Sequence, residues 1–218
     1  MAAHIVYGGW EGHTPEETAR LLATLLAEAG VRAELHDSLD LFARVPEDAT
    51  LLVPVWTMGA LTNDQVRGVC DAVERGVGLA GCHGGMCDAF RECTEWQFLT
   101  GGQFVAHPGG EVRYRVSIED RDHPVTRGIE DFTLMGEQYY HHVDPAVRVL
   151  ATTQFPVAEG PHAANGPVKM PTVWTKRWGK GRVFYCAIGH IAGDIAAEPV
   201  RTLVQRGLLW AGNLLPDR

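Results

Sequence analysis

The chain has 218 residues, 45% of them hydrophobic and 21% charged, which is enough for one substantial core. Its 19 basic against 27 acidic residues leave a formal charge of −8, without the basic footprint of a nucleic-acid partner. No run of Lys and Arg marks a membrane surface, and no apolar stretch approaches the roughly 20 residues of a bilayer span. The opening "MAAHIVYGGW" shows no charged segment followed by an apolar one, so no secretory signal is expected. Cys70, Cys82, Cys87, Cys93 and Cys186 are irregularly spaced without a C-x-x-C pair, a pattern expected of reduced thiols in a cytoplasmic protein.

"HIVYG" (His4 to Gly8) reads as a short β-branched strand leading into a Gly-rich loop. Thr14 then reads as an N-cap, with Pro15 at the first helical position and Glu16 and Glu17 in the first turn. Ala19, Leu22, Leu25, Leu26 and Ala29 keep helical spacing up to the stop at Gly30. "VRAELH" is a second strand, and the nearly continuous apolar run "ATLLVPVW" predicts a third, buried on both faces. Thr62 opens a helix with Val66, Val69, Cys70 and Val73 on one side and Gly76 at its end; "VGLAGC" is the fourth strand. This rhythm predicts a doubly wound parallel sheet.

After Phe98 the rhythm changes. "GEVRYRVSIED" alternates, with Val112, Tyr114, Val116 and Ile118 on one face, which predicts a half-exposed antiparallel strand at an edge. "FTLMGEQYYHH" and the strand-like "VRVLATT" follow, then a Gly/Pro/Ala-rich loop over 156–171. "PTVWTKRWGKGRVFYCAIGH" reads as a hairpin around Gly179 to Gly181, and a last helix spans 198–212. Its "GKGR" lacks the leading glycine and the Ser/Thr of a phosphate loop. No repeat or linker divides the chain, so residues 1–218 are expected to form a single domain.

Parallel sheets place ligands beyond the carboxyl ends of their strands. Those ends are Gly8 to His13, Trp56 to Gly59, Cys82 to Cys87 and, if the last strand joins the same sheet, Gly189 to Asp194. Three of the four carry a histidine: His13, His83 and His190. The turn Gly81-Cys82-His83-Gly84-Gly85 has the G-x-X-x-G pattern of a nucleophile elbow with a histidine at its apex. An imidazole there suits a general acid or base or a metal ligand rather than an acyl-transfer nucleophile; the plain alternative is a structural histidine bonded to backbone. For His107, a pocket role and a turn role fit equally. His123 in "DRDHP" reads as fixing a loop. Of the adjacent pair His141 and His142 only one can face a cleft, and His141 is favoured. Trp10, Tyr139 and Tyr140 suit either a stacking wall for a sugar ring or ordinary packing. Cys87 near the elbow helix could carry a lowered thiol pKa, although a buried, inert thiol is the simpler expectation.

Several stretches in this order, "GWEGHTPEETA", "GLAGCHGG", "GGQFVAHPG", "VSIEDRDHPVTRGI", "MGEQYY" and "PTVWTKRWGKGRVFYCAIGH", give the chain a resemblance to the ThuA-like (trehalose utilisation) family. That resemblance runs through nearly the whole length. It implies a three-layer α/β/α fold, flavodoxin-like or class I glutamine amidotransferase-like, whose mostly parallel sheet carries an added antiparallel edge or hairpin. In the amidotransferase relatives the elbow holds a catalytic cysteine and a histidine follows a late strand; His83 and His190 match those places. Glutamine hydrolysis is therefore not expected. The resemblance also implies Glu137 as the nearby carboxylate and a sugar-like small molecule as substrate.

The resulting expectation is chemistry on a carbohydrate or keto-sugar derivative by His83, His190 and Glu137, with isomerase, lyase and hydrolase left open. These three either ligate a divalent metal such as zinc or act as acid and base. His13, Trp10, Tyr139, His141 and His107 are the expected substrate contacts, and homo-oligomer formation is left open. The alternatives are a non-catalytic sugar- or metabolite-binding module and a cysteine-dependent hydrolase using Cys82 or Cys87.

Overall fold

The computed structural model describes residues 2–217. β1 (Ala2–Gly9) runs through a 3-10 turn (Glu11–His13) into α1 (Pro15–Glu28), then β2 (Ala33–His36), the short α2 (Asp40–Ala43) and β3 (Ala49–Thr57). There follow α3 (Asn63–Arg75), β4 (Gly78–Cys82), α4 (Gly84–Cys87) and α5 (Thr94–Thr100). The second half comprises β5 (Gly102–Ala106), β6 (Glu111–Ile118), β7 (Phe132–Glu137), β8 (Tyr140–Val143), β9 (Arg148–Phe155), β10 (Val168–Trp178), β11 (Gly181–Cys186), α6 (Ala192–Ala196) and α7 (Val200–Ala211).

Nine of these strands form one sheet in the order β2-β1-β3-β4-β11-β10-β9-β6-β7, while β5 and β8 pair separately. The first five are mutually parallel and the rest antiparallel. The central strands are apolar on both faces because successive residues point opposite ways and each face is covered. Ile5, Val53, Ala80 and Phe184 belong to one core with Leu22, Leu25 and Leu26 of α1 and Leu203, Val204 and Leu208 of α7. Val6, Leu52, Leu79 and Val183 belong to the other core, with Val69 and Val73 of α3 and Trp96 of α5. Each fully buried leucine in these layers contributes roughly 1.5–3 kcal/mol. The three-layer α/β/α arrangement is thus the one expected. No helix among the described residues is long and apolar enough to cross a membrane.

α3 begins with a capping box: Gln65 N donates to Thr62 Oγ1 (3.3 Å) and Thr62 N to Gln65 Oε1 (2.8 Å). Thr14 differs from its expected role. Its backbone is left-handed (φ 44°), which turns the hydroxyl away from α1, and Oγ1 instead accepts from Ala192 N at 3.4 Å. β6 is antiparallel and alternating, yet it is not an edge, because β7 covers its free side. "FTLMGEQYYHH" is two strands in two different sheets, broken at Gln138 and Tyr139. β10 starts at Val168, so the loop before it is shorter than its composition suggests.

Candidate functional site

The turn after β4 is the geometric centre of the site. His83 takes φ 48° and ψ −138°, a left-handed conformation that thrusts its side chain out of the strand-to-helix turn. Its backbone is pinned from both sides: His83 N donates to Cys186 O at 2.7 Å, and the Tyr185 hydroxyl donates to His83 O at 3.1 Å. Gly84 is required because a Cβ there would overlap the His13 ring. Small residues at the elbow therefore serve the approach of a second imidazole as well as the turn.

The ring of His83 is equally constrained. Nδ1 lies 2.8 Å from Ala187 O, and a carbonyl only accepts, so the proton sits on Nδ1. Nε2 faces Glu137 Oε2 at 3.1 Å, and Tyr139 stacks on the ring at 3.9 Å between centroids. His190 follows β11; its Nδ1 is 3.3 Å from the same Glu137 oxygen but not aligned for a hydrogen bond, leaving a buried polar atom without a partner among the described residues. His13 packs edge-on between His83 (4.9 Å) and His190 (5.0 Å), with its Nδ1 2.7 Å from Thr57 Oγ1. One ligand atom from each of His13, His83, Glu137 and His190 lies within 4.8 Å of all the others.

Burial opposes ionisation of Glu137, but the His83 hydrogen bond and the charges of His83, His107 and His190 outweigh it and hold the carboxyl down at about 2. Burial, then His83 and His190, push His13 down to about 3, so its imidazole is neutral at pH 7. The centre is one anion ringed by nitrogen donors. Such a set can bind a divalent cation, or it can hold a proton between His83 and Glu137.

His107 Nε2 stands 3.8 Å from Glu137 Oε1, on the open side of the group. Trp10 is exposed and meets His13 edge-on at 4.7 Å, which puts it at the rim. Two expectations fail, and the simpler one for Cys87 holds. His141 is fully buried, its Nε2 3.1 Å from the Tyr185 hydroxyl and its ring against Trp174, so it lies in the core behind the site and cannot touch a ligand. Tyr139 is buried between His83 and Phe104 and forms a backing for the elbow histidine rather than a sugar platform. Cys87 ends α4 in the core, and burial raises both its thiol and that of Cys82 well above the usual value. Burial of both thiols thus counts against the cysteine-hydrolase reading. His123 does fix its loop, with Nδ1 accepting from Val125 N at 3.2 Å.

Sequence reasoning missed Thr57, Tyr185 and the Ala187 carbonyl. Thr57 lies within the strand-end segment already singled out; Tyr185 and Ala187 lie within the hairpin stretch quoted above, but nothing local to them shows that β11 pairs beside the elbow strand. The larger cavities, about 420 Å³ beside His123 and about 700 Å³ beside Gly76, lie at the opposite rim, where the parallel strands begin. Convergent chemistry, not cavity size, marks the site.

The profile of the ThuA family, described as trehalose utilisation, matches residues 3–211. The chain belongs to the ThuA family. That description supports a sugar-related role. No curated protein matches the chain. Among solved structures, a ThuA-like protein from Parabacteroides merdae is 17% identical with TM-score 0.77, over 97% of this chain and 90% of its own. Another from Bacteroides uniformis is 17% identical with TM-score 0.75, over 97% and 91%. The fold also matches 30% of a β-galactosidase chain from Bacillus circulans sp. alkalophilus, at 13% identity, TM-score 0.59 and 96% of this chain. At these identities the likeness is one of fold.

Proposed function

We propose that this ThuA-family chain is a carbohydrate-modifying enzyme whose His13, His83, His190 and Glu137 hold one divalent cation of the zinc class. The observation that carries the reading is the convergence of four donor atoms, from four separate segments, within 4.8 Å. Two details fit it. His83 donates its far ring proton to a carbonyl, the outer contact that orients a metal-ligating histidine, and the buried Nδ1 of His190 has no hydrogen bond to satisfy it. Such a cation supplies Lewis acidity to a keto or hydroxyl oxygen of a sugar. The chain's own groups do the rest: Glu137 balances the cationic charge, Trp10 offers an aromatic face for a sugar ring, and the half-exposed His107 exchanges a proton with the bound substrate.

The 3.1 Å contact of His83 with Glu137 favours one competing reading, a metal-free acid–base pair. Elemental analysis of the purified protein separates the two. An equivalent of zinc, manganese or nickel that is lost in His83→Ala and His190→Ala along with turnover of a panel of trehalose, other sugars and their keto derivatives supports the metal reading. Full turnover by metal-stripped protein overturns it, and wild-type turnover by a folded His83→Ala variant removes the site altogether.

A further inference from the structure

The chain places a second group of nitrogen and oxygen donors on the outer edge of the sheet. β2 is the edge strand, and "ELH" at its end puts Glu34 and His36 two residues apart, hence on one face. Parallel pairing with β1 sets His4 beside Glu34 and Val6 beside His36, so His4 joins them on that same face. The placement follows from strand periodicity and register together. Five residue steps of β1 separate His4 from the strand's end at Gly9, about 16 Å of chain before the cleft loop begins.

We propose that His4, Glu34 and His36 form a second divalent-cation site, of the zinc class, that ties the edge strand β2 to β1. Ligand atoms of the three lie within 4.8 Å of one another. His4 Nδ1 and His36 Nε2 face each other at 3.0 Å, and Glu34 Oε2 is 3.8 Å from His4 Nδ1. Two nitrogens bound tetrahedrally to one zinc ion stand about 3.3 Å apart, so a small opening of the pair admits the ion without moving a strand. Arg32 holds the other Glu34 oxygen at 2.5 Å, which orients the carboxylate and leaves Oε2 turned towards the histidines. His4 itself is buried, and its Nε2 has no partner among the described residues. Its Nδ1, turned to both His36 and Glu34, is the atom offered to the ion. Three protein ligands leave one coordination position for water at a half-exposed strand end.

The site is independent of the cleft, and the experiment keeps them apart. Zinc binding is measured by equilibrium dialysis at micromolar Zn²⁺ for the wild type, the His83→Ala/His190→Ala double variant, and that double variant carrying His36→Gln or Glu34→Gln. The double variant retains one equivalent; His36→Gln removes it, Glu34→Gln weakens it at least about tenfold, and zinc shifts the imidazole resonances of residues 4 and 36. A wild type that binds a single equivalent, which the double variant keeps and the added His36→Gln removes, sustains the edge site while overturning the metal reading of the cleft. If the double variant binds no zinc at micromolar concentration, or His36→Gln leaves its binding unchanged, the edge site does not exist.

Discussion

The two halves of the large sheet contribute to the site in different ways. The parallel half delivers His13, His83 and His190 from the loops after β1, β4 and β11, where a doubly wound sheet generally presents its ligands. The antiparallel half delivers one group, Glu137, as the last residue of β7. In sheet order β7 stands four places from β11, yet its terminal carboxylate reaches His83 at 3.1 Å. Imidazole donors thus come from the common scaffold, while the only carboxylate of the group comes from the strands appended to it. Charge and framework are supplied separately.

That division is testable first by removing the charge alone. Glu137→Gln keeps the shape of the β7 end but strips the anion from among three imidazoles; turnover and metal affinity are both expected to fall on the order of 100-fold. A variant that retains both would mean the appended half is a cover and nothing more. The next largest effect tests the framework. Tyr185→Phe deletes the hydroxyl that donates to His83 O and accepts from His141 Nε2, and both groups are buried. Urea unfolding should show a loss of about 1–3 kcal/mol, with activity reduced through the elbow's position; an unchanged midpoint would deny Tyr185 that part.

The last test concerns the loop between β6 and β7. Burial first, then the charge of Arg148, lower His123 to about 4 from its ordinary 6.5. Between these values the unfolded chain binds the proton more readily, so the stability this histidine contributes is complete above pH 6.5 and declines as pH falls towards 4. At pH 5 the decline is about 2 kcal/mol, and His123→Gln should remove that share of the stability difference in urea titrations at pH 7 and pH 5. Identical slopes for wild type and variant would show that the loop carries no buried proton site.

The same division explains what was legible beforehand. Helical spacing in α1 and α3, the apolar run of β3 and the Gly-rich elbow are local signals, so the parallel half and its three histidines could be read residue by residue. Glu137 was reachable only through family resemblance, because nothing within "MGEQYY" says which distant loop its strand end will meet. The separate pairing of β5 and β8 went unread for a related reason: they are five and four residues long and pair only with each other. Alternation did show that one of His141 and His142 turns inward. It could not show that inward there means behind Tyr139, in the core, rather than in front of it.

The left-handed backbone at His83 has a consequence for endurance. A side chain held at φ 48° costs of order 1–3 kcal/mol that a glycine would not incur. Among inactive replacements at this position, glycine should therefore melt at a higher temperature than alanine, since only alanine inherits the contorted turn. The elbow of this chain thus trades heat resistance for an outward-facing imidazole, at a single residue.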